Sequence, residues 1–356
     1  MRYITIEKAE PGMVLAKPLY DNYNRIILGQ SQILTLGFIQ KLTERGFSGL
    51  YIEDALSEDV FIEEPIPPEL RNRGVDALRR GDVDATLEVA KLIVEYIISN
   101  PNVSLDLMDL RTYDDYTYRH CVNVSVIASI IGLQFGLTPI EMEEITIASI
   151  FHDLGKLLIA PEILNKPSKL TQEEYDIMKE HSRHSFELLK NKWNISSKAR
   201  LSVLHHHENE DGTGYPKGLK RDEIPLFSKI IHVADVYDAL TSRRPYKKPF
   251  ARSEAIEYIM GGCNRMFDEK VIHAFMKAVP IYPKGITVML SNGEEAIVVE
   301  NTANTLRPVI RLFNGLEINL NTSKQHFNIT VHPDTTVETD FSDELGLNNR
   351  FFANES

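Results

Sequence analysis

The sequence predicts a mainly α protein in which a long all-helical domain is flanked by a small N-terminal α+β module and a small C-terminal β module. Three observations predict this. Apolar residues recur at helical spacing from Glu69 to about Val279. Short alternating runs occupy the first 56 residues and return after Pro280. The 356 residues also exceed what one hydrophobic core ordinarily serves.

The elements follow in order. Residues 3 to 53 carry the β-type runs MVLAKPLY and RIILG, then a helix-like LTLGFIQKLTERG closing at Gly46, then SGLYIED, so residues 1–56 read as the α+β module. The acidic stretch SEDVFIEEPIPPE holds three prolines between Pro65 and Pro68, which no helix interior accepts, and 57–68 reads as a linker. Helix starts within 69–279 are marked by Asp82, by Thr138 with Pro139 and Glu141, and by Thr171 with Glu174, each a cap that can accept from an unpaired amide. Gly136, Gly155 and the pair Gly261 and Gly262 read as stops. From 280 to 333 two alternating stretches each enclose an Asn-Gly pair, which predicts type I′ hairpins, and 334–356 is an acidic polar tail.

Composition bounds the function. The chain is 43% hydrophobic and 25% charged, which excludes a collagenous or wholly disordered protein. Its 51 acidic against 39 basic residues leave −12, so gripping duplex nucleic acid is not its task. Cys121 and Cys263 are too few for a disulfide framework and point to a reducing compartment. The N-terminus lacks a basic start followed by an apolar run. The most apolar later stretch, Val124 to Leu133, is short and holds Ser125 and Ser129. The expectation is a soluble cytoplasmic protein without a membrane span.

Histidines and aspartates cluster inside or at the ends of the expected helices: His120, His152 with Asp153, His181, the run His205 to His207, and Asp235. Imidazole and carboxylate together suit iron, manganese or zinc, and helices can aim such groups at one point. If Asp153 bridges, one ion takes His120, His152, Asp153 and Asp235, and a second takes Asp153, His181, His206 and His207. Open positions would then serve a bridging hydroxide and substrate oxygens in two-metal phosphodiester hydrolysis. Spacing alone does not establish that these groups converge. Lone histidines on apolar helix faces are more often core residues, and His232 and His273 are read so; His184 is set aside as well.

The segments DDYTYRHCVNV, FHDLGK, APEILNKPSKLTQEE, MKEHSRHS, HHENEDGTGYP and ADVYDALTSRRPYK resemble, in order and spacing, the motifs of the HD-GYP domain of the HD phosphohydrolase superfamily. The resemblance covers about 113 to 279. It implies an all-helical HD-type catalytic domain and a metal-dependent phosphodiesterase that hydrolyses cyclic di-GMP to linear pGpG and/or GMP. It also implies two divalent transition metal ions, iron or manganese, held by His120, His152, Asp153, His181, His206, His207 and Asp235. Because the family's HHE is followed by two residues and then DG, His206 and His207 match the pair, and His205 falls to helix surface or core.

By the same carry-over Lys156 would stabilise or protonate the leaving oxygen, Arg244 and Lys247 would contact substrate phosphates, and Asp238 would line the pocket. Gly214, Tyr215 and Pro216 would form a rigid loop beside it, with Tyr215 packing on guanine or within the loop. Two positions depart from the family. Tyr116 stands one turn before His120 where some members have a glutamate for a third metal, which favours two ions, with Asp114 and Asp115 nearby. Ser185 replaces a usual glycine, a packing change expected to be tolerated. A non-catalytic cyclic-dinucleotide sensor or interaction scaffold is the alternative function, since neither flanking module carries a catalytic motif. The GYP loop and the terminal modules are the surfaces on which a protein partner would dock, and a homodimer is compatible with the sequence.

Overall fold

The structure, a computed structural model, describes residues 1–21, 25–47, 49–62, 64–100, 105, 116–166, 168–242, 250 and 252–332. Asp114, Asp115, Arg244, Lys247 and the tail lie outside these, and Tyr116 opens a helix without a described side chain.

The N-terminal module comprises β1 (Arg2–Thr5), β2 (Val14–Leu15), β3 (Leu19–Tyr20), β4 (Ile26–Leu28), α1 (Leu36–Glu44) and β5 (Gly49–Glu53). Pro18 divides the run 13–20 into β2 and β3, because proline cannot donate to a ladder. The strand order is β1-β5-β2, antiparallel, with β3 and β4 as a separate pair. β1, four residues long, carries too little periodicity to stand out in the sequence. Gly49 faces it so closely that a Cβ would sit 2.3 Å from the Ile4 carbonyl oxygen. Leu15, Leu19, Leu34, Leu42 and Leu50 fill this module's core.

The stretch expected as a linker is packed in part, although Glu58, Asp59 and Phe61 are exposed. Among the described residues between Ser57 and Pro67 no α-helix forms, as the prolines require, yet Ser57, Val60, Ile62 and Ile66 are buried, and Val60 and Ile62 pack with Tyr3 and Tyr51.

The helical region holds α2 (Pro68–Arg79), α3 (Val83–Ser99), α4 (Tyr116–Phe135), α5 (Pro139–Phe151), α6 (Pro161–Leu164), α7 (Gln172–Lys179), α8 (His181–Leu189), α9 (Ser197–Leu204), α10 (Leu226–Thr241), α11 (Arg252–Gly261) and α12 (Glu269–Ala278). Asp82 accepts from the Ala85 amide, and Thr138 with Glu141 and Thr171 with Glu174 form reciprocal capping boxes. Among the described residues, no helix is long and apolar enough to cross a membrane. α4 is buried on every side, with Val122, Val124, Ala128, Ile130 and Ile131 fully covered; α2, α3, α5, α10 and α12 pack around it. α5 ends at Phe151, earlier than the stop expected at Gly155. That glycine lies in a 3₁₀ turn, Leu154–Leu158, which packs against α8.

The C-terminal meander is β6 (Thr287–Met289), β7 (Glu295–Glu300), β8 (Val309–Leu312) and β9 (Glu317–Asn319), paired in that order. Its hairpins are not type I′, which needs positive φ at both central residues. Positive φ falls on Gly293 and Gly315 at 85° and 88°, and neither Asn292 nor Asn314 shares it. Each loop instead closes a Gly N–H onto the carbonyl three residues back, Leu290 or Leu312, so the glycine is the left-handed residue of a three-residue loop. The sheet's inner face, with Val288, Ala296, Val298, Ile310 and Ile318, joins the same hydrophobic cluster as the helices.

Candidate metal centre

Helix ends and two helix interiors deliver the seven proposed ligands. His120 comes from early in α4, His152 and Asp153 from just past α5, His181 from the start of α8, His206 and His207 from just past α9, and Asp235 from within α10. Ligand atoms of Asp153, His181, His206 and His207 all lie within 4.8 Å of one another. The same holds for His120, His152 and Asp153, and for His152, His206 and Asp235. Asp153, His152 and His206 are therefore each shared between two groups.

Backbone carbonyls set the orientation of three of these rings. The Nδ1 of His152 lies 2.7 Å from the Ser149 oxygen, that of His181 2.8 Å from Met178, and that of His206 2.6 Å from Val203. A carbonyl can only accept, so Nδ1 carries the proton and donates, which leaves the Nε2 lone pair facing inward. Each acceptor sits three residues upstream in the last turn of a helix, where the regular i to i+4 ladder runs out. The Nε2 atoms converge: that of His181 is 3.4 Å from His206 Nε2 and 3.2 Å from His207 Nε2.

The electrostatics favour lone pairs and carboxylates. Burial lowers the proton affinity of His181 to about 4, and burial together with neighbouring imidazoles lowers those of His206 and His207 well below the usual range. Burial alone would raise Asp153 and Asp235, yet both lie well below an ordinary carboxylate, Asp153 through Lys156 and His152, Asp235 through His120. His120 goes the other way. Burial opposes its charge, but hydrogen bonds to Asp235 and Asp238 outweigh burial and raise it to about 9.

The donor set fits divalent transition metals. Imidazole nitrogens and carboxylate oxygens suit iron, manganese and zinc. Two inward atoms, His152 Nε2 and Asp153 Oδ1, are buried without a hydrogen-bond partner, an expensive state that a cation between them would relieve.

The remaining candidates are placed as follows. Lys156 Nζ lies 2.5 Å from Asp153 Oδ2 at the edge of the cluster. Tyr215 stacks on His207, ring centroids 4.7 Å apart, so its ring walls one side of the histidine cluster. Gly214 is required by crowding, because a Cβ there would sit 2.4 Å from the His207 carbonyl oxygen. Asp238 is held from two sides. It is 5% exposed, and its oxygens lie 2.7 Å from His120 Nδ1 and 3.1 Å from Asn123 Nδ2.

His205 is buried, its Nδ1 3.2 Å from Glu208 Oε1. His232 is buried against Phe267, whereas His273 is exposed on α12, contrary to its reading as a core residue. His184 is partly buried. Ser185 does more than fill space, since its hydroxyl accepts the Gly155 amide at 2.7 Å.

Sequence reasoning missed two residues. Glu208 accepts the Lys217 and Leu219 amides, both at 2.9 Å, and so ties down the loop that carries Tyr215. Asn123 lies three residues after His120, and that spacing was its available signal.

Residues 97–271 match the family model described as HD domain. That stretch of the chain is an HD domain. The cyclic di-GMP phosphodiesterase PA4108 of Pseudomonas aeruginosa is 38% identical over 239 residues, which is 66% of this chain and 58% of that protein. The cyclic di-GMP phosphodiesterase response regulator RpfG of Xanthomonas campestris pv. campestris is 40% identical over 155 residues, 43% of this chain and 41% of that one. The chain thus spans about half the length of these relatives. A solved HDG"Y"P protein from Bdellovibrio bacteriovorus, Bd1817, shares the fold at a TM-score of 0.50 and 16% identity, over 77% of this chain and 98% of its own. The HD domain's mainly helical fold is common to both.

Proposed function

We propose that this HD-domain chain is a metal-dependent phosphodiesterase acting on a cyclic dinucleotide, with cyclic di-GMP the substrate that the names of its relatives favour. The observation that carries this is the pair of overlapping ligand groups joined at Asp153. His120, His152, Asp153 and Asp235 would hold one ion, and Asp153, His181, His206 and His207 the other, the donor type suiting a transition metal and the HD-GYP resemblance favouring iron or manganese. Bound, such ions supply positive charge beside a phosphate and lower the pKa of a water. The chain's own groups do the rest. The imidazoles of His152, His181 and His206 present Nε2 lone pairs whose direction their Nδ1 hydrogen bonds fix. Lys156 stands at the cluster's edge, where its ammonium can charge-stabilise and protonate the departing oxygen. The Tyr215 ring closes one side against solvent. Arg244 and Lys247 are proposed phosphate contacts from the sequence, as is 69–279 for the extent of the catalytic domain.

The test is metal content with product analysis after anaerobic purification. Two iron or manganese ions per chain and release of pGpG or GMP are expected, and Asp153→Ala should lose both ions and turnover because its carboxylate serves both groups. Binding of cyclic di-GMP without product by the metal-loaded protein would replace the enzyme with a sensor.

A further inference from the structure

Two i, i+3 pairs face one another across the α4–α10 contact: His120 and Asn123 on α4, Asp235 and Asp238 on α10. Residues at that spacing share a helix face, so the contact brings four polar groups together in two layers. In the inner layer His120 Nε2 is 2.9 Å from Asp235 Oδ1 and 3.6 Å from Asp153 Oδ2, on the metal side. In the outer layer Asp238 Oδ2 is 2.7 Å from His120 Nδ1, and Asn123 donates from Nδ2 to Asp238 Oδ1 at 3.1 Å. His120 and Asp238 are 2% and 5% exposed, so water does not compete for this contact.

His152, His181 and His206 all use a carbonyl three residues upstream to hold Nδ1. His120 cannot. It lies inside α4, where the upstream carbonyls are taken by the helix ladder. An outside acceptor must do the same work.

We propose that Asp238 is the positioning residue of His120, holding Nδ1–H so that Nε2 faces the metal, and that Asn123 in turn fixes the Asp238 carboxylate. The arrangement is a carboxylate–histidine–metal relay, extended by one amide. It rests on the metal-dependent reading above and departs from the expectation that Asp238 contacts substrate.

The test uses the full chain stripped of metal and titrated with Mn²⁺, free ion being read by electron paramagnetic resonance. Asp238→Ala should weaken Mn²⁺ binding roughly 10- to 100-fold, the span usual for losing such a partner. Asp238→Asn keeps an acceptor oxygen and should recover part of it. Asn123→Ala, at a half-buried position, should weaken Mn²⁺ binding in the same direction by less, and it decides the matter if Asp238→Ala does not fold. At saturating Mn²⁺, affinity for a nonhydrolysable cyclic dinucleotide should be unchanged in Asn123→Ala and Asp238→Asn. Wild-type Mn²⁺ affinity in Asn123→Ala and in either folded Asp238 variant overturns the proposal, and weakened dinucleotide binding alone returns Asp238 to the substrate. A wild-type chain that binds no Mn²⁺ sinks the metal reading and this relay together, whereas one that binds it equally with the variants sinks the relay alone.

Discussion

His232 lies three residues before Asp235 on α10, 5% exposed and packed on Phe267 with ring centroids 4.9 Å apart. Burial lowers its proton affinity from 6.5 to about 4. Between those values the unfolded chain binds a proton that the folded chain does not, so stability falls as pH drops from 6.5 towards 4 and is unaffected by this group above 6.5. One such group contributes at most about 1.4 kcal/mol per pH unit, and His181, also held at about 4, acts in the same direction. Urea unfolding of metal-free protein at pH 7.5 and 5.0 measures the loss. His232→Gln should show a smaller loss between the two pH values, and an equal one would mean that this imidazole is charged in the folded state.

At the scale of elements, the 3₁₀ turn after α5 and the start of α8 form a single device. A Cβ on Gly155 would sit 2.1 Å from the His181 carbonyl oxygen and 2.4 Å from the Ser185 amide nitrogen. The turn carrying Asp153 and Lys156 can therefore lie against the residue that supplies His181. Gly155→Ala should push the two elements apart, at roughly 1 to 3 kcal/mol for overpacking, and reduce bound metal because Asp153 and His181 sit on opposite sides of the contact. Ser185→Ala leaves the Gly155 N–H buried without its acceptor, at about 1 to 3 kcal/mol. Thermal unfolding with metal analysis checks both, and a Ser185→Ala protein as stable as wild type would reduce that hydroxyl to filler. The glycine's presence is legible in the sequence; its purpose is not, because α8 begins 26 residues later.

Across the whole molecule, the two flanking modules meet each other. Tyr3 N–H donates to the Gly285 carbonyl, and Arg311 on β8 makes paired bonds of 2.6 and 2.7 Å to Asp59, another to the Leu56 carbonyl and one to Glu317. Those bonds hold the Asp59 carboxyl down to about 2. Asp59 is largely exposed, so screening discounts its share. Arg311→Ala should still cost on the order of 1 to 2 kcal/mol, mainly through the part-buried contacts, and open residues 56–62 to limited proteolysis. Unchanged cleavage there would show that the shared core of Tyr3, Tyr51, Val60 and Ile62 suffices.

By itself the sequence determined what short-range chemistry decides. The reciprocal caps at Thr138 and Thr171, the proline-barred segment before α2 and the types of side chain able to bind metal all follow from neighbours within a few residues. Tertiary structure decided what lies between distant segments. It brought Asp238 to His120 across 118 positions, gave Gly155 its close contact and buried part of an apparent linker. The physical reason is that periodicity records which face of an element is buried, whereas the partner on that face is chosen by how whole helices and sheets fill space together.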